Sequence, residues 1–428
     1  MHSPKSSDPA HFAIRRYELV VFGASGFTGK RVAEQIAAYQ KENVLKWAIA
    51  GRNRSLLLAL KKELVAINPQ VIVDVVIADV KDEQSLAKMT ASTLLLLNLT
   101  GPFRFYGEAV VKSCLNTGTH YLDICGEPKF MEEMYLKYHK LARERELCLV
   151  SGCGFDSVPA DMGTLFLQKY FAEKGGTCHS ITSYLTLQSG PSGAHVHNTT
   201  WNCAVMGMGD VRALGRVRKQ MEVVELHFEG KKPRVKPGPF WNKGIEPRGA
   251  YCMLFPGADA SVVRMSQRHQ TVDNAAYVAT YYGAYFTVAQ RSSLLYLFIF
   301  GFLFKTLCQY GWGRSLLMRF PRFFSAGLFS ARGPSATQLA ETSFRMQFVA
   351  EGTLPTLAEG NSTVRGSVSG EEPGYVATPK VLLACARVLL NEGDAMHTGV
   401  LTPAAAFRDT SILETLAEGA LTFAAELG

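Results

Sequence analysis

A glycine-rich turn near the N-terminus constrains the fold of this chain more than any other feature. Residues 23–29 read GASGFTG and stand between the apolar run YELVVF (17–22) and a helix-like stretch. Glycines at the first, fourth and seventh positions permit a tight turn, and they let the backbone of a helix N-terminus approach a pyrophosphate closely. The pattern predicts a dinucleotide-binding site in the first strand–helix connection of a Rossmann-type domain.

Short apolar runs alternate with amphipathic stretches from Tyr17 to about Val150. The runs are YELVVF (17–22), WAIAG (47–51), VIVDVVIAD (71–79), TLLLLNLT (93–100), THYLDI (119–124) and LCLVSG (147–152). The amphipathic stretches include Lys30–Gln40, Ser55–Val65 and Pro128–Glu146. Such alternation is typical of a parallel sheet covered by helices on both faces, so we expect an α/β fold with a doubly wound sheet.

The length of 428 residues and the hydrophobic content of 47% indicate more than one folded domain. We expect a Rossmann domain over residues 13–155 and a second α+β domain, for substrate binding or dimerisation, over 156–290. Within the second domain, residues 180–290 are typical of strands and loops. An apolar segment is expected at 291–330. Residues 331–428 are expected to complete the second domain and to return to the core of the Rossmann domain.

The predicted cofactor site combines the glycine-rich turn with the ends of neighbouring strands. The second apolar run ends in GRNR (51–54), where an NAD enzyme usually carries an acidic residue for the ribose 2′-hydroxyl. A guanidinium suits the 2′-phosphate of NADP, although Arg52 could also be a solvated surface residue. Asp79 is a candidate for the adenine edge. The predicted cofactor-binding residues are Gly23, Ser25, Gly26, Phe27, Thr28, Gly29, Arg52, Asp79, Asn98, Thr100 and Gly101.

The reaction site is expected where the strand order of a doubly wound sheet reverses, outside the carboxyl ends of the strands. Loops at 98–107, 123–128 and 152–161 carry Gly, Pro and polar residues there. Reduction by hydride needs a group that donates a proton or polarises the acceptor. The candidate catalytic residues are Tyr106, Asp156 and His197, with His195 as a further candidate.

Each candidate also has a purely structural interpretation. Tyr106 can simply pack, Asp156 can cap the helix that opens near Pro159, and the histidines can lie in a surface loop. Ser157, Tyr170 and Lys174 reproduce the catalytic spacing of short-chain dehydrogenases. One continuous helix from Pro159 to Lys174 would separate the serine from the tyrosine by about 20 Å, so we interpret that spacing as coincidence.

An aromatic, apolar block lies at 292–330. Its uninterrupted core, Leu294–Phe304, has eleven residues, too few to span a bilayer, and cations follow at Lys305, Arg314, Arg319 and Arg322. Insertion into the surface of a membrane or lipid monolayer fits this pattern. A buried domain interface or a homodimer interface is the alternative.

Composition and charge exclude several function classes. Net charge is +8, but no RNP signature, zinc-finger spacing or basic helix accompanies it, so we expect no nucleic-acid partner. Nine cysteines without a C-x-x-C pair are typical of reduced thiols in the cytoplasm and predict no metal site. The N-terminus has no apolar signal region, and its slight basic character leaves a mitochondrial presequence open.

Several motifs together resemble the saccharopine dehydrogenase-like oxidoreductases, a family that includes trans-acting enoyl reductases of bacterial lipid synthesis. They are GASGFTG (23–29), GPFRFYGE (101–108), YLDICGEP (121–128), GCGFDSVPAD (152–161), H-x-x-T-W (197–201), GYVATP (374–379) and GVLTPAAAF (399–407). The resemblance implies an NADP-dependent oxidoreductase with links to lipid metabolism, glycolipid biosynthesis, lipid droplets and membranes.

The resemblance does not name a substrate. We expect NADPH-dependent reduction of an apolar, lipid-like substrate near a membrane or lipid droplet. A non-catalytic NADP-binding membrane adaptor and an amino-acid-handling reductase like the namesake of the family are the alternatives.

Overall fold

The computed structural model describes residues 15–41, 44–221, 224–246, 249–289, 291–355 and 362–428, without the side chains of 291–292. Strands are numbered in chain order: β1 Tyr17–Phe22, β2 Trp47–Gly51, β3 Val73–Ile77, β4 Thr93–Asn98, β5 His120–Asp123, β6 Cys148–Val150, β7 Thr177–Gln188, β8 Val196–His197, β9 Phe240–Asn242, β10 Ala250–Leu254, β11 Tyr281–Val288, β12 Phe329–Ser330, β13 Ser343–Thr353, β14 Ser362–Glu371, β15 Gly399–Leu401 and β16 Thr422–Leu427.

Helices are numbered in the same way: α1 Phe27–Tyr39, α2 Arg54–Ile67, α3 Glu83–Ala91, α4 Phe103–Thr117, α5 Pro128–Glu144, α6 Val158–Glu173, α7 Asn198–Gly209, α8 Val211–Gln220, α9 Asp259–Asp273, α10 Arg291–Gln309, α11 Gly311–Arg319, α12 Pro321–Phe324, α13 Ala336–Glu341, α14 Thr378–Asn391, α15 Pro403–Phe407 and α16 Ile412–Ala417. A π-helical turn, Pro373–Ala377, leads directly into α14.

The first sheet has seven parallel strands in the order β15-β6-β5-β4-β1-β2-β3. Along β1, Leu19 and Val21 are buried in one core, whereas Val20 and Phe22 are buried in a second core on the other face. A sheet buried on both faces explains why its strands are continuous apolar runs. The doubly wound Rossmann fold is confirmed. So is the return of the C-terminal segment, because β15 forms an edge strand beside β6.

The second sheet also has seven strands, in the order β16-β14-β13-β7-β11-β10-β9. Its pairings are antiparallel except that of β7 with β11, which is parallel. The helix α6 packs on this sheet, where Leu167 and Phe171 are fully buried. The fold is therefore a Rossmann sheet joined to a mixed α+β layer, as the fold class predicted.

Two expectations about local structure are wrong. Residues 180–290 contain the helices α7, α8 and α9 in addition to strands and loops. Their helical form depends on tertiary packing, as in α7, where Trp201 and Val205 are buried. The loop expected at 98–107 ends early, because α4 begins at Phe103 directly after Pro102. Tyr106 consequently lies in the first turn of a helix.

The aromatic block forms three helices and the short strand β12, and we call its first two helices, α10 and α11, the aromatic helix pair. One side of the pair packs on Trp201 of α7, whose ring centroid lies 6.2 Å from that of Phe300 and 5.2 Å from that of Phe304. The indole nitrogen of Trp201 donates a hydrogen bond of 2.9 Å to the carbonyl oxygen of Leu317. These contacts attach the pair to α7 and leave its other side to the solvent.

Candidate cofactor and reaction site

Two positions of the glycine-rich turn can be occupied only by glycine. Gly23 has a φ of +87°, and a Cβ there would lie 2.9 Å from the carbonyl carbon of Leu99. A Cβ on Gly29 would lie 2.2 Å from the carbonyl oxygen of Gly23. No side chain of the described residues caps α1, so its first N–H groups remain available. The turn thus fits a pyrophosphate group at the helix N-terminus.

The end of β2 presents a free guanidinium beside this turn. Arg52 is exposed, and within the described residues it makes no hydrogen bond or ion pair. Asn53 is engaged as the cap of α2, with its side-chain oxygen accepting from the amide of Leu56 at 3.1 Å. The hydroxyl of Ser25 also lies close to the end of β2, 3.8 Å from the position that a Cβ on Gly51 would occupy. A cation with no acid beside it fits the 2′-phosphate of NADP.

Asp79 and Asn98, two of the predicted cofactor residues, hold local structure. The carboxylate of Asp79 accepts from the amide of Lys81 at 3.0 Å. Asn98 is fully buried, and its side-chain oxygen accepts from the amide of Thr100 at 3.1 Å and from its hydroxyl at 2.5 Å. Asn98 therefore shapes the loop after β4, and the partly exposed Thr100 and Gly101 form the surface of that loop.

A buried network that the sequence did not reveal fixes the ends of β4, β5 and β6 relative to one another. The hydroxyl of Tyr121 accepts from Asn98 at 3.1 Å and donates to the carboxylate of Asp123 at 2.7 Å. Asp123 also accepts from the amides of Cys125 and Gly152, both at 2.9 Å. Burial raises the pKa of Asp123 to about 6, although these donors oppose the shift. The network links the carboxyl ends of these three strands, where the reaction site is predicted.

Asp156 stands in a left-handed conformation between β6 and α6, with a φ of +79°. Its side chain lies over the loop after β5, because a Cβ on Gly126 would be 3.2 Å from its carboxylate. Burial raises the pKa of Asp156 to about 7, and a hydrogen bond from the backbone of Ala258 opposes this shift. Among the described residues no side chain caps α6. The capping role considered for Asp156 is therefore not observed.

His197 lies directly on the glycine-rich turn. Its ring stacks on Phe27 with centroids 5.1 Å apart and planes inclined by 14°. It caps α7, since its Nδ1 accepts from the amide of Thr199 at 3.2 Å. Burial lowers the pKa of His197. His195 is bonded through Nε2 to the hydroxyl of Ser330 at 2.9 Å and lies in the same short two-stranded sheet region.

Tyr106 lies half-buried on α4, with its ring 6.3 Å from that of Phe105. In the part of the chain that the structure describes, no hydrogen bond joins Tyr106, Asp156 and His197 to one another. The short-chain dehydrogenase spacing proves to be a coincidence of sequence. Tyr170 lies on α6, well beyond Ser157 at its start, and Lys174 stacks over Tyr170 with the ammonium 4.8 Å from the ring centroid.

Residues from the C-terminal part of the chain contact Phe27 and His197, and together with His197 they form a wall over the glycine-rich turn. The ring of Tyr375 meets that of Phe27 edge-on with centroids 4.7 Å apart, and its hydroxyl accepts from the amide of His197 at 2.9 Å. The carboxylate of Glu372 accepts from three successive amides, those of Gly374, Tyr375 and Val376. Burial raises the pKa of Glu372. The motif GYVATP was the only sequence signal for this wall.

Arg104, in the first turn of α4, is held in a largely buried ion-pair cluster. Its Nε lies 2.5 Å from the carboxylate of Glu127, and its terminal nitrogen lies 2.7 Å from that of Asp210. The side chains of Arg104 and Glu127 are only 8% and 4% exposed. With two acidic partners, this guanidinium is not free to bind a carboxylate of a substrate.

The parallel sheet, the glycine-rich turn and the unpaired arginine at the end of β2 define an NADP-binding protein of the oxidoreductase class. A family model described as the saccharopine dehydrogenase NADP binding domain matches residues 19–150. A saccharopine dehydrogenase-like oxidoreductase from Rattus norvegicus is 36% identical over 425 residues, which cover 96% of this chain and 97% of the relative. The chain belongs to the saccharopine dehydrogenase-like oxidoreductase family. NADP is its cofactor, as the sequence predicted.

Two further similarities bear on fold and context. A lipid droplet localized protein from Caenorhabditis elegans is 33% identical, covering 96% of this chain and 99% of the relative. The solved structure of saccharopine dehydrogenase (L-Glu forming) from Saccharomyces cerevisiae has a TM-score of 0.57 at 13% identity, covering 96% of this chain and 100% of that protein. The similarity to this solved structure shows a shared fold and carries no information on substrate.

Proposed function

We propose that this protein is an NADPH-dependent reductase that acts on an apolar, lipid-related substrate at the surface of a lipid droplet or membrane. One observation carries the proposal. The aromatic helix pair packs on α7, and His197, at the start of α7, stacks on Phe27 of the cofactor turn. A single helix thereby joins a surface suited to lipid with the cofactor site. The name of the worm relative supports the same setting.

The outer side of the aromatic helix pair is unusually apolar for a surface. The exposed fractions of its side chains are 66% for Leu295, 62% for Phe298, 65% for Ile299, 74% for Phe302 and 65% for Trp312. Exposed cations, including Lys305 and Arg319, lie on the same two helices. Contiguous exposed apolar side chains with neighbouring cations favour insertion at the headgroup level of a lipid surface.

The aromatic helix pair is suited to lie in a lipid surface and not to cross a bilayer. Its apolar stretch, Ser293–Gln309, falls short of a span. Among the described residues, only Pro373–Asn391 is long and apolar enough to cross, and 61% of that helical stretch is buried inside the protein, as in a core helix. Embedding the outer side of α10 would cover its exposed apolar side chains.

The chemistry assigned to the crevice is reduction with proton transfer. NADPH supplies a hydride when it is bound, and the protein must supply a proton or polarise the acceptor. With a pKa of about 7, Asp156 is protonated in a large fraction of molecules at neutral pH, so it can donate a proton. Tyr106 is the second candidate donor. His197, with its pKa lowered by burial, is suited to orient the cofactor turn as a neutral ring.

The amino-acid-handling alternative receives less support. A substrate with several carboxylates needs free cations to bind them. Arg104, in the first turn of α4, is neutralised by Glu127 and Asp210. The non-catalytic adaptor alternative differs from the reductase in turnover alone, so an assay must measure binding and turnover separately.

The test uses the full chain and the double substitution F298S/F302S. The matched control is V44S/I72S, which changes side chains that are 95% and 76% exposed on the Rossmann domain. We expect F298S/F302S to abolish co-flotation with triolein droplets coated with phosphatidylcholine, and to lower NADPH oxidation by droplet-borne acyl and enoyl compounds. NADPH affinity should not change, because neither phenylalanine lies in the cofactor site.

Three results would contradict the proposed function. Unchanged flotation of F298S/F302S would refute docking through the aromatic helix pair. NADPH binding without oxidation by any acyl or enoyl compound would favour the adaptor. Oxidation that requires oxo-acid and amine pairs would favour the amino-acid-handling reductase.

A further inference from the structure

A second cavity lies on the mixed sheet, apart from the cofactor site. Its volume is about 380 Å³, and residues of strands β7 and β11, helix α9 and the basic segment 226–240 line it. None of its lining residues is one of the predicted cofactor or catalytic residues. Cavities of this size are typical of small-molecule binding sites.

The charge on the cavity wall has one sign. Lys232, Arg234, Lys236 and Arg264 line it, and no acidic side chain does so among the described lining residues. Lys236 lies over the ring of Phe240, 4.5 Å from its centroid. In the described part of the chain, Lys232, Arg234 and Arg264 form no ion pair. Because these cations repel one another, their clustering is electrostatically unfavourable. A bound anion would replace this repulsion with attraction.

The remaining wall combines aromatic and aliphatic side chains with the polar side chains of Thr182, Gln267 and Thr280, and most of its rings pack on one another. Tyr184 stacks on Tyr285 with centroids 5.6 Å apart, and Phe240 meets Tyr285 edge-on at 5.3 Å. Phe228 and Tyr281 stack at 4.3 Å. Leu226 and Val235 add aliphatic surface, which suits an acyl chain.

We propose that this cavity binds a single-chain amphiphile with an anionic headgroup, either phosphate or carboxylate. The cations of segment 226–240 and Arg264 hold the headgroup, and the aromatic wall with Leu226 and Val235 contacts the chain. This site is separate from the reductase crevice and does not depend on the proposed reaction. A fatty acid and a monoacyl phosphate share the required chemistry.

Two variants test the two halves of the site. R234Q/R264Q removes headgroup charge, and R216Q/K219Q on α8 is the control for charge elsewhere, because both of its residues are exposed. Gly283→Leu fills the cavity, since a Cβ there would meet only a ring atom of Tyr285 at 3.8 Å. All variants are made in the F298S/F302S background, which removes binding to the aromatic helix pair. Circular dichroism melting confirms that each variant is folded.

Calorimetry below the critical micelle concentration measures binding of oleoyl lysophosphatidic acid, oleate, neutral monoolein and inorganic phosphate. We expect R234Q/R264Q to weaken lysophosphatidic acid or oleate about tenfold or more, and R216Q/K219Q to have no such effect. Gly283→Leu should weaken the same acyl ligand. Saturating NADPH should leave the affinity unchanged. Preference for lysophosphatidic acid over oleate, or the reverse, would identify the headgroup.

The proposal is refuted if neither acyl anion binds the parent protein, if monoolein binds as tightly as the acyl anions, or if NADPH displaces them. Equal losses in R234Q/R264Q and in the control would also refute it, because they would show only general electrostatic attraction. Inorganic phosphate binding as tightly as lysophosphatidic acid, with no effect of Gly283→Leu, would replace it by a simple anion site. None of these readouts measures reduction, so failure here leaves the proposed reductase untouched.

Discussion

Substitution of Asp156 by asparagine should change how the stability of the protein depends on pH. Asparagine keeps the shape of the side chain, retains an oxygen that can accept from the backbone of Ala258, and tolerates the φ of +79° better than most residues. The main effect of the substitution is to remove the ability to ionise. It also relieves the repulsion between Asp156 and Asp259, whose pKa is raised by burial and by that neighbouring charge.

The shifted pKa of Asp156 determines the sign and the size of the expected change in folding stability with pH. Burial raises the pKa of Asp156 from 3.8 to about 7, so the folded protein holds a proton that the unfolded chain has already released. The stability that this proton provides is complete below about pH 4 and is lost as the pH rises to about 7. At about 1.4 kcal/mol per pH unit, the loss between pH 5 and pH 8 is about 2 to 3 kcal/mol.

Urea unfolding followed by circular dichroism from pH 5 to pH 8 measures this difference. The Asp156→Asn variant should gain stability relative to the unsubstituted protein as the pH rises, reaching the full difference near pH 8. The matched control is Asp394→Asn, which changes an exposed carboxylate. A stability difference between Asp156→Asn and the unsubstituted protein that stays constant across this pH range would refute the raised pKa of Asp156.

Three further predictions concern the cofactor and reaction site. Arg52→Gln should weaken NADPH binding about ten- to a hundredfold and leave NADH binding unchanged in calorimetric titrations, because a charge-assisted contact to the 2′-phosphate is lost; an equal loss for both nucleotides would contradict this. Gly29→Ala should abolish binding of both nucleotides, because its Cβ would lie 2.2 Å from the carbonyl oxygen of Gly23, whereas Gly215→Ala, in open space, should bind normally; retained binding in Gly29→Ala would show that the turn can relax. Tyr106→Phe should lower NADPH oxidation and keep NADPH affinity if its hydroxyl donates the proton, and unchanged turnover would leave Asp156 as the donor.

The Rossmann half of the fold was predictable because its signals are local. The strands β1 and β2 begin and end where the apolar runs do, at 17–22 and 47–51. A strand buried on both faces must be apolar throughout, and a glycine-rich turn that follows it directly is informative without knowledge of the rest of the chain. The helix α7 gave no comparable signal, since it is weakly amphipathic and is stabilised by tertiary contacts of Trp201 and Val205.

The wall over the cofactor turn could not be predicted, because its contacts join distant parts of the chain. The hydrogen bond between the amide of His197 and the hydroxyl of Tyr375 spans 178 residues. The raised pKa of Asp156 likewise depends on burial beside Ala258, which is remote in sequence. Sequence identified polar residues at the strand ends, but only the tertiary structure shows which of them are buried, free or already paired.

The edge position of β15 has a consequence for the order of synthesis. Six strands of the Rossmann sheet come from the first 150 residues, but the seventh, Gly399–Leu401, is made only after every strand of the second sheet except β16. Until then, the polar backbone edge of β6 has no partner on that side. The carboxylate of Asp161 also lacks one of its hydrogen-bond donors until Ala404 is made, because it accepts from the amide of Ala404 at 2.7 Å. A nascent or truncated chain that carries the whole glycine-rich turn therefore still has an open sheet edge, a site for aggregation or for chaperone capture.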